Sequence, residues 1–121
     1  MKIKERIEGD IAILTLSGNM MGGPDTTALH DRIKSLIADG IKKVVIDLKG
    51  VKWMNSSGLG VLMSCMTSLQ KAGGKMKLAS VTDKVQSILM ITKLIGLFDT
   101  YETAERAVAS FIEEEKTQPS S

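Results

Sequence analysis

Two adjacent hydroxyls in Asn55-Ser56-Ser57-Gly58-Leu59-Gly60 are the groups in this 121-residue sequence best placed for chemistry. They follow a β-branched run, Val44-Val45-Ile46-Asp47-Leu48, and precede a helical pattern. The carboxyl end of a strand is where α/β sheets place their sites. Ser56 or Ser57 can cap the helix, its oxygen accepting from an early backbone N–H. A helix N-terminus also favours an anion. A phosphate on Ser56, with about −1.5 to −2 charges, would therefore be tolerated there. Gly58 and Gly60 each cost on the order of 1 kcal/mol in a helix relative to Ala. That cost points to close approach by a partner, a ligand or a neighbouring element. The same residues also read more plainly, as a capped helix whose glycines permit tight packing on the sheet.

Other chemistries fit poorly. His30 is the single histidine and has no companion cysteine, so a metal site is not expected, and it reads as a surface residue of the first helix. Cys65, the single cysteine, falls on an apolar helical face and reads as core. No carboxylate pair stands beside the serines, and a Ser–His–Asp arrangement would require His30 to reach Ser56. Gly22-Gly23-Pro24 lacks the Gly-Lys-Ser/Thr ending of a phosphate loop. Met20 and Met21 occupy an expected loop beside the serines. They suit an adaptable binding surface, or tuck beneath the loop into the core. Trp53 reads as partly buried against the sheet or as lining the same patch.

The elements that hold this turn follow from periodicity. Ile3, Glu5 and Ile7 suggest an edge strand, Glu8-Gly9-Asp10 a turn, and Ile11 to Leu16 a buried strand. Gly18 to Gly23 is not expected to continue that strand. Pro24-Asp25-Thr26-Thr27 begins a helix that runs through Leu29, Ile33, Leu36 and Ile37 to Asp39-Gly40. Val44 to Leu48 is a strand covered on both faces, with a loop from Lys49 to Asn55. Leu59, Leu62, Met66 and Leu69 share one helical face, ended by Ala72-Gly73-Gly74. Met76, Leu78 and Ser80 mark a further strand, and Asp83 to Leu94 a helix. Phe98 and Tyr101 bracket a short last strand or turn. Thr103 to Glu115 forms a helix with Ala104, Ala107, Val108, Phe111 and Ile112 on its apolar side. The alternation predicts a single α/β domain: an N-terminal hairpin, then alternating strands and helices, in a mostly parallel mixed sheet with about four helices.

Composition sets the outer limits. An apolar fraction of 43% and a charged fraction of 25% support one packed core. A net charge of +2 is too small to argue for nucleic acid or an anionic membrane. One cysteine allows no internal disulfide. The N-terminus lacks the apolar stretch of a signal peptide, and no segment reads as a membrane span. The cytosol is the expected location.

The serine hexapeptide closely resembles the D-S-S-G-L-G signature of STAS-domain anti-sigma-factor antagonists. The hairpin, glycine loop, helix and Val44–Leu48 strand are similar to the family layout over residues 3–70. Gly73-Gly74-Lys75-Met76-Lys77-Leu78 and Met90-Ile91-Thr92-Lys93-Leu94-Ile95-Gly96-Leu97-Phe98 extend the likeness to about residue 112. The resemblance implies a STAS-like domain over residues 1–116, followed by a frayed polar tail at 117–121. It implies a bacterial partner-switching protein rather than an enzyme, with no cofactor, metal or nucleic acid. The unmodified form would bind an anti-sigma factor that is also a serine protein kinase, freeing the sigma factor. Phosphorylation of Ser56, with Ser57 as second choice, would block binding, and a serine phosphatase would restore it. Met20, Met21, Asp25, Asn55, Ser57, Gly58 and Gly60 are the implied partner-binding residues, on a monomer or weak dimer. Two positions depart from the family pattern. Asn55 replaces the acid before the serine pair, and no acid stands at Met20-Met21, Asp25 being the nearest carboxylate. The rival reading is a STAS-like domain that binds a small ligand, nucleotide or lipid without kinase control.

Overall fold

Gly9 takes a φ of +62°, the positive value that a two-residue hairpin turn requires at its first position. It thereby joins β1 (Lys2–Glu8) to β2 (Ile11–Met20), which pair antiparallel. A computed structural model describes residues 1–117, apart from the side chains of Asp25 and Thr117. After the hairpin come α1 (Pro24–Ala38), β3 (Lys43–Met54), α2 (Ser56–Lys71), β4 (Lys75–Ala79) and α3 (Asp83–Ile91). A 3₁₀ turn (Ile95–Leu97), β5 (Asp99–Tyr101) and α4 (Ala104–Thr117) complete the described elements. The sheet order is β1-β2-β3-β4-β5, with β2 to β5 mutually parallel. The expected single α/β domain, with its opening hairpin and four helices, is the one observed. Of the expected tail, only Thr117 is described, as the last residue of α4; residues 118–121 lie outside the described residues.

Alternation along the strands divides the core in two. Ala12, Leu14 and Leu16 of β2, Val44 and Ile46 of β3, and Met76 and Leu78 of β4 face one way. There they meet Leu29 and Ile33 of α1, Leu62 and Leu69 of α2, and Val85 and Leu89 of α3. Ile11, Ile13, Val45 and Ala79 face the other way and are covered by Ala104, Ala107, Val108 and Phe111 of α4. Strands buried on both faces explain the continuous apolar runs in the sequence.

Five sequence expectations about the elements are corrected. β2 continues through Gly18 to Met20, and β3 through the expected Lys49–Asn55 loop to Met54. The two extensions pair with each other, Ser17 with Gly50 and Met20 with Met54, across two register shifts. The glycines that looked like strand breakers are there for bulging and close approach. A Cβ on Gly50 would stand 2.8 Å from the Leu16 carbonyl oxygen. β4 stops at Ala79, because Ser80 turns to a φ of +55°. α3 ends at Ile91 rather than Leu94, with Thr92 closing it and Lys93 at a φ of +62°. Ile112 is 42% exposed: the apolar stripe of α4 is narrower than its sequence implied.

Candidate functional site

β3 ends at Met54, Asn55 turns the chain, and Ser56 is the first residue of α2. Asn55 is the N-cap, extended at φ −103° and ψ −177°, so neither serine fills the capping role proposed for them. Its Oδ1 accepts from the Gly58 N–H at 2.9 Å. That single residue also ties α2 to the loop after β2. Its backbone N–H donates to the Met20 carbonyl at 3.2 Å, and its Nδ2 donates to the Met21 carbonyl at 2.9 Å.

With the cap filled, the serines are left to the surface. Both are exposed, and among the described residues Ser56 Oγ has no hydrogen-bond partner. Ser57 lies against the loop, where a Cβ on Gly22 would meet the Ser57 Cβ at 2.6 Å. The two glycines of α2 differ in purpose. Gly58 is buried, and a Cβ there would sit 2.0 Å from the Met20 carbonyl oxygen. Gly60 is exposed with open space above it.

The methionines divide as well. Met20 is fully buried, and Met21 is 47% exposed. Met20 pairs with Met54 at the end of the β2–β3 ribbon, and both side chains enter the core. Met20 and Gly58 therefore leave the list of surface residues, their place taken by packing between loop and helix. Trp53 is 44% exposed, pairing with Asn19 across the ribbon. Asp25 lies in the first turn of α1, and its side chain is outside the described residues.

No acidic residue occupies the first turn of α2, so new negative charge on Ser56 meets the helix dipole without a like charge in that turn. His30 bonds through Nε2 to Ser68 Oγ at 3.0 Å, joining α1 to α2. Cys65 is buried, and burial pushes its thiol up to about 12, which makes it inert as a nucleophile. Among the described residues no group of three His, Cys, Asp or Glu side chains could hold a metal ion. Nor is any helix long and apolar enough to cross a membrane.

Sequence reasoning missed a second cluster, on the far face of the sheet. Lys77 of β4 is fully buried beneath α4. Its Nζ donates to Ser110 Oγ at 2.6 Å, Glu114 Oε1 at 2.7 Å and Tyr101 OH at 3.2 Å, which uses all three ammonium protons. It also lies 4.5 Å from the centre of the Phe111 ring. Nearby, Lys75 pairs with Asp99 and Glu114. Lys43 pairs with Asp10 and Glu115. These pairs border a cleft of about 460 Å³ at the amino ends of β2, β3 and β4. That cleft lies at the opposite end of the strands from Ser56, which follows the carboxyl end of β3.

Comparison with known proteins agrees with the family resemblance. The STAS domain family model matches residues 2–107. The anti-sigma-B factor antagonist of Bacillus subtilis is 33% identical over 63 residues, 52% of this chain and 58% of that protein. The anti-sigma F factor antagonist of Paenibacillus polymyxa is 29% identical over 65 residues, 54% and 56% of the two chains. The chain thus spans under two thirds of these curated relatives. Solved structures share the fold over more of their length. An anti-sigma factor antagonist from Mycobacterium paratuberculosis superposes with a TM-score of 0.76 at 24% identity, covering 90% of this chain and 92% of that one. Unphosphorylated SpoIIAA, an anti-sigma factor antagonist, gives 0.71 at 13% identity, covering 93% and 98%. With its family model matched over nearly the whole described length, the chain belongs to the STAS domain family, the family of these anti-sigma-factor antagonists.

Proposed function

We propose that this protein is a phosphorylation-controlled anti-sigma-factor antagonist. In its unmodified form it binds an anti-sigma factor that is also a serine kinase, and so frees the sigma factor. The kinase transfers the γ-phosphoryl group of ATP to Ser56 Oγ, the bond to the β–γ bridging oxygen breaking to release ADP and the hydroxyl proton leaving to a base of the kinase. A serine phosphatase hydrolyses the phosphoserine and restores binding. The protein supplies the acceptor hydroxyl and the surface around it, and no catalytic group of its own.

The observation that carries this reading is the state of Ser56: exposed, at the first position of α2, its hydroxyl without a hydrogen-bond partner among the described residues. A hydroxyl serving as cap would have to surrender a bond before accepting a phosphoryl group. Asn55 caps in its place, so Ser56 can be modified while the helix start stays intact. Met21, Ser57 and Gly60 surround it as the available contact surface, with Trp53 as a further exposed apolar side chain.

The test is capture from the source bacterium together with phosphosite mapping. Ser56→Ala should retain an anti-sigma factor with serine kinase activity, and Ser56→Asp should retain much less. Phosphate in the native protein should map to Ser56. Phosphate on Ser57 alone, or equal retention by both variants, would overturn the assignment.

A further inference from the structure

Asn55 stands between two groups of fixed polarity. The Gly58 N–H can only donate, and the Met21 carbonyl can only accept. The side chain between them must accept through one atom and donate through the other. A primary amide meets that requirement, whereas an ionised carboxylate, acceptor-only, does not. An acid here would keep the cap and press a second acceptor against the Met21 carbonyl.

The loop tied in this way has little else to hold it. Gly22 and Gly23 follow Met21 with φ of +86° and +83°, a left-handed pair with no side chains of their own. The Gly22 N–H donates to Thr26 Oγ1 at 3.1 Å, within the same local turn. Across to α2 the loop has the Asn55 bonds and the close contact of Gly22 with Ser57.

We propose that Asn55 is a positioning residue that locks the Met21 loop to the first turn of α2, so that Met21 and Ser56 are displayed as one preformed face. Ordering a loop at the moment of binding weakens an interface, and a locked loop avoids that loss. What the face is for rests on the function proposed above. Whether the loop is locked does not, since the measurement needs no partner.

The variants are Asn55→Asp and Asn55→Ser, compared with wild type by NMR. Both replacements can cap Gly58, but the carboxylate cannot donate and serine is too short to reach both groups. At neutral pH each should speed amide exchange at Gly22 by up to about tenfold, the loss of one hydrogen bond. The Met21 methyl resonance should move toward its flexible position while the Gly58 amide stays protected. Residues 19–23 and 53–64 carry no ionisable side chain, so an acid at 55 titrates there without a charged neighbour on those segments. A protonated carboxyl can donate, so acidification below about pH 4 should return the Met21 methyl of Asn55→Asp toward wild type. Asn55→Ser should show no such return. A wild-type Met21 environment in Asn55→Asp at neutral pH would overturn the proposal, as would failure of the loop to recover on protonation. If Asn55→Asp does not fold, a wild-type loop in Asn55→Ser overturns it equally.

Discussion

The serine turn, at the carboxyl end of β3, and the Lys77 cluster, on the face of β4 covered by α4, are held together by opposite kinds of force. The turn uses neutral hydrogen bonds from Asn55 and backbone contacts at Gly22 and Gly58, and leaves the Ser56 hydroxyl exposed. The cluster buries an ammonium group completely and satisfies it with Ser110, Tyr101 and Glu114. A neutral turn can receive charge at its surface with little strain. A buried cation, by contrast, tolerates no loss of a partner. The difference separates the part of the molecule suited to modification from the part that fixes α4 on the sheet.

The largest expected effect lies at the charged end. Glu114→Gln removes the one carboxylate among the described residues that is bonded to Lys77, and should destabilise the protein by about 3 kcal/mol, the lower range for a broken buried pair. Water reaching the half-exposed Glu114 keeps it from the upper range. Lys77→Met removes the charge itself. Ser110 Oγ and Tyr101 OH, 2.7 Å apart, can then satisfy each other. That variant should stay within about 1 kcal/mol of wild type. Denaturant unfolding of both decides the point; a Lys77→Met loss as large as that of Glu114→Gln would mean that the ion pair itself stabilises the fold, and that an orphaned buried charge is not the source of the Glu114→Gln cost.

The same pair sets an acid limit. Burial alone would raise the Glu114 carboxyl, but the bonds from Lys77 and Lys75 and their charges hold it below its ordinary 4.5. Its contribution to stability is therefore present above pH 4.5 and lost as pH falls through the lower folded value. Asp10, held below 3.8 chiefly by its bond from Lys43, extends the loss to lower pH. Melting temperatures followed downward from about pH 7 should fall in that window. The upper part of the fall should flatten in Glu114→Gln.

At the serine turn the two glycines should respond with opposite signs. Gly58→Ala gains helix propensity of about 1 kcal/mol. Its methyl, however, has to displace the Met20 carbonyl, and such overpacking costs about 1–3 kcal/mol. At a 2.0 Å approach to backbone the upper end applies, so a net loss of about 2 kcal/mol is expected. Gly60→Ala meets nothing and should stabilise the free protein by up to about 1 kcal/mol. If a partner seats against Gly60, that variant binds it less well despite melting higher. Calorimetry and thermal melting of the same samples separate the two effects.

Sequence patterns revealed the turn far better than the cluster. Ser56, Asn55 and the glycines are contiguous, so capping chemistry and helix cost were visible in six letters. Which residue caps was not, because Asn and Ser serve equally well at that position and only the Met21 carbonyl distinguishes them. The length of β2 and β3 was hidden for a related reason. Gly18 and Gly50 look like breakers in isolation, and only their pairing with the neighbouring strand makes them part of a bulged ribbon. Lys77 was invisible. Nothing in Met76-Lys77-Leu78 marks a buried cation, and its acceptors arrive from 24, 33 and 37 residues further along.

The central claim is that one phosphate on Ser56 changes binding and leaves the fold alone. The direct measurement is calorimetric titration of the captured anti-sigma factor with unmodified protein and with protein phosphorylated at Ser56, alongside thermal melting of both. The helix dipole should keep the change in stability within about 1 kcal/mol. A partner surface fitted to a neutral hydroxyl must desolvate a dianion, at a cost of several kcal/mol. Each 1.4 kcal/mol is about tenfold in affinity, so binding should weaken by roughly a hundredfold or more. Equal affinity for the two forms would contradict the account, and would favour a STAS domain that binds a small ligand without kinase control.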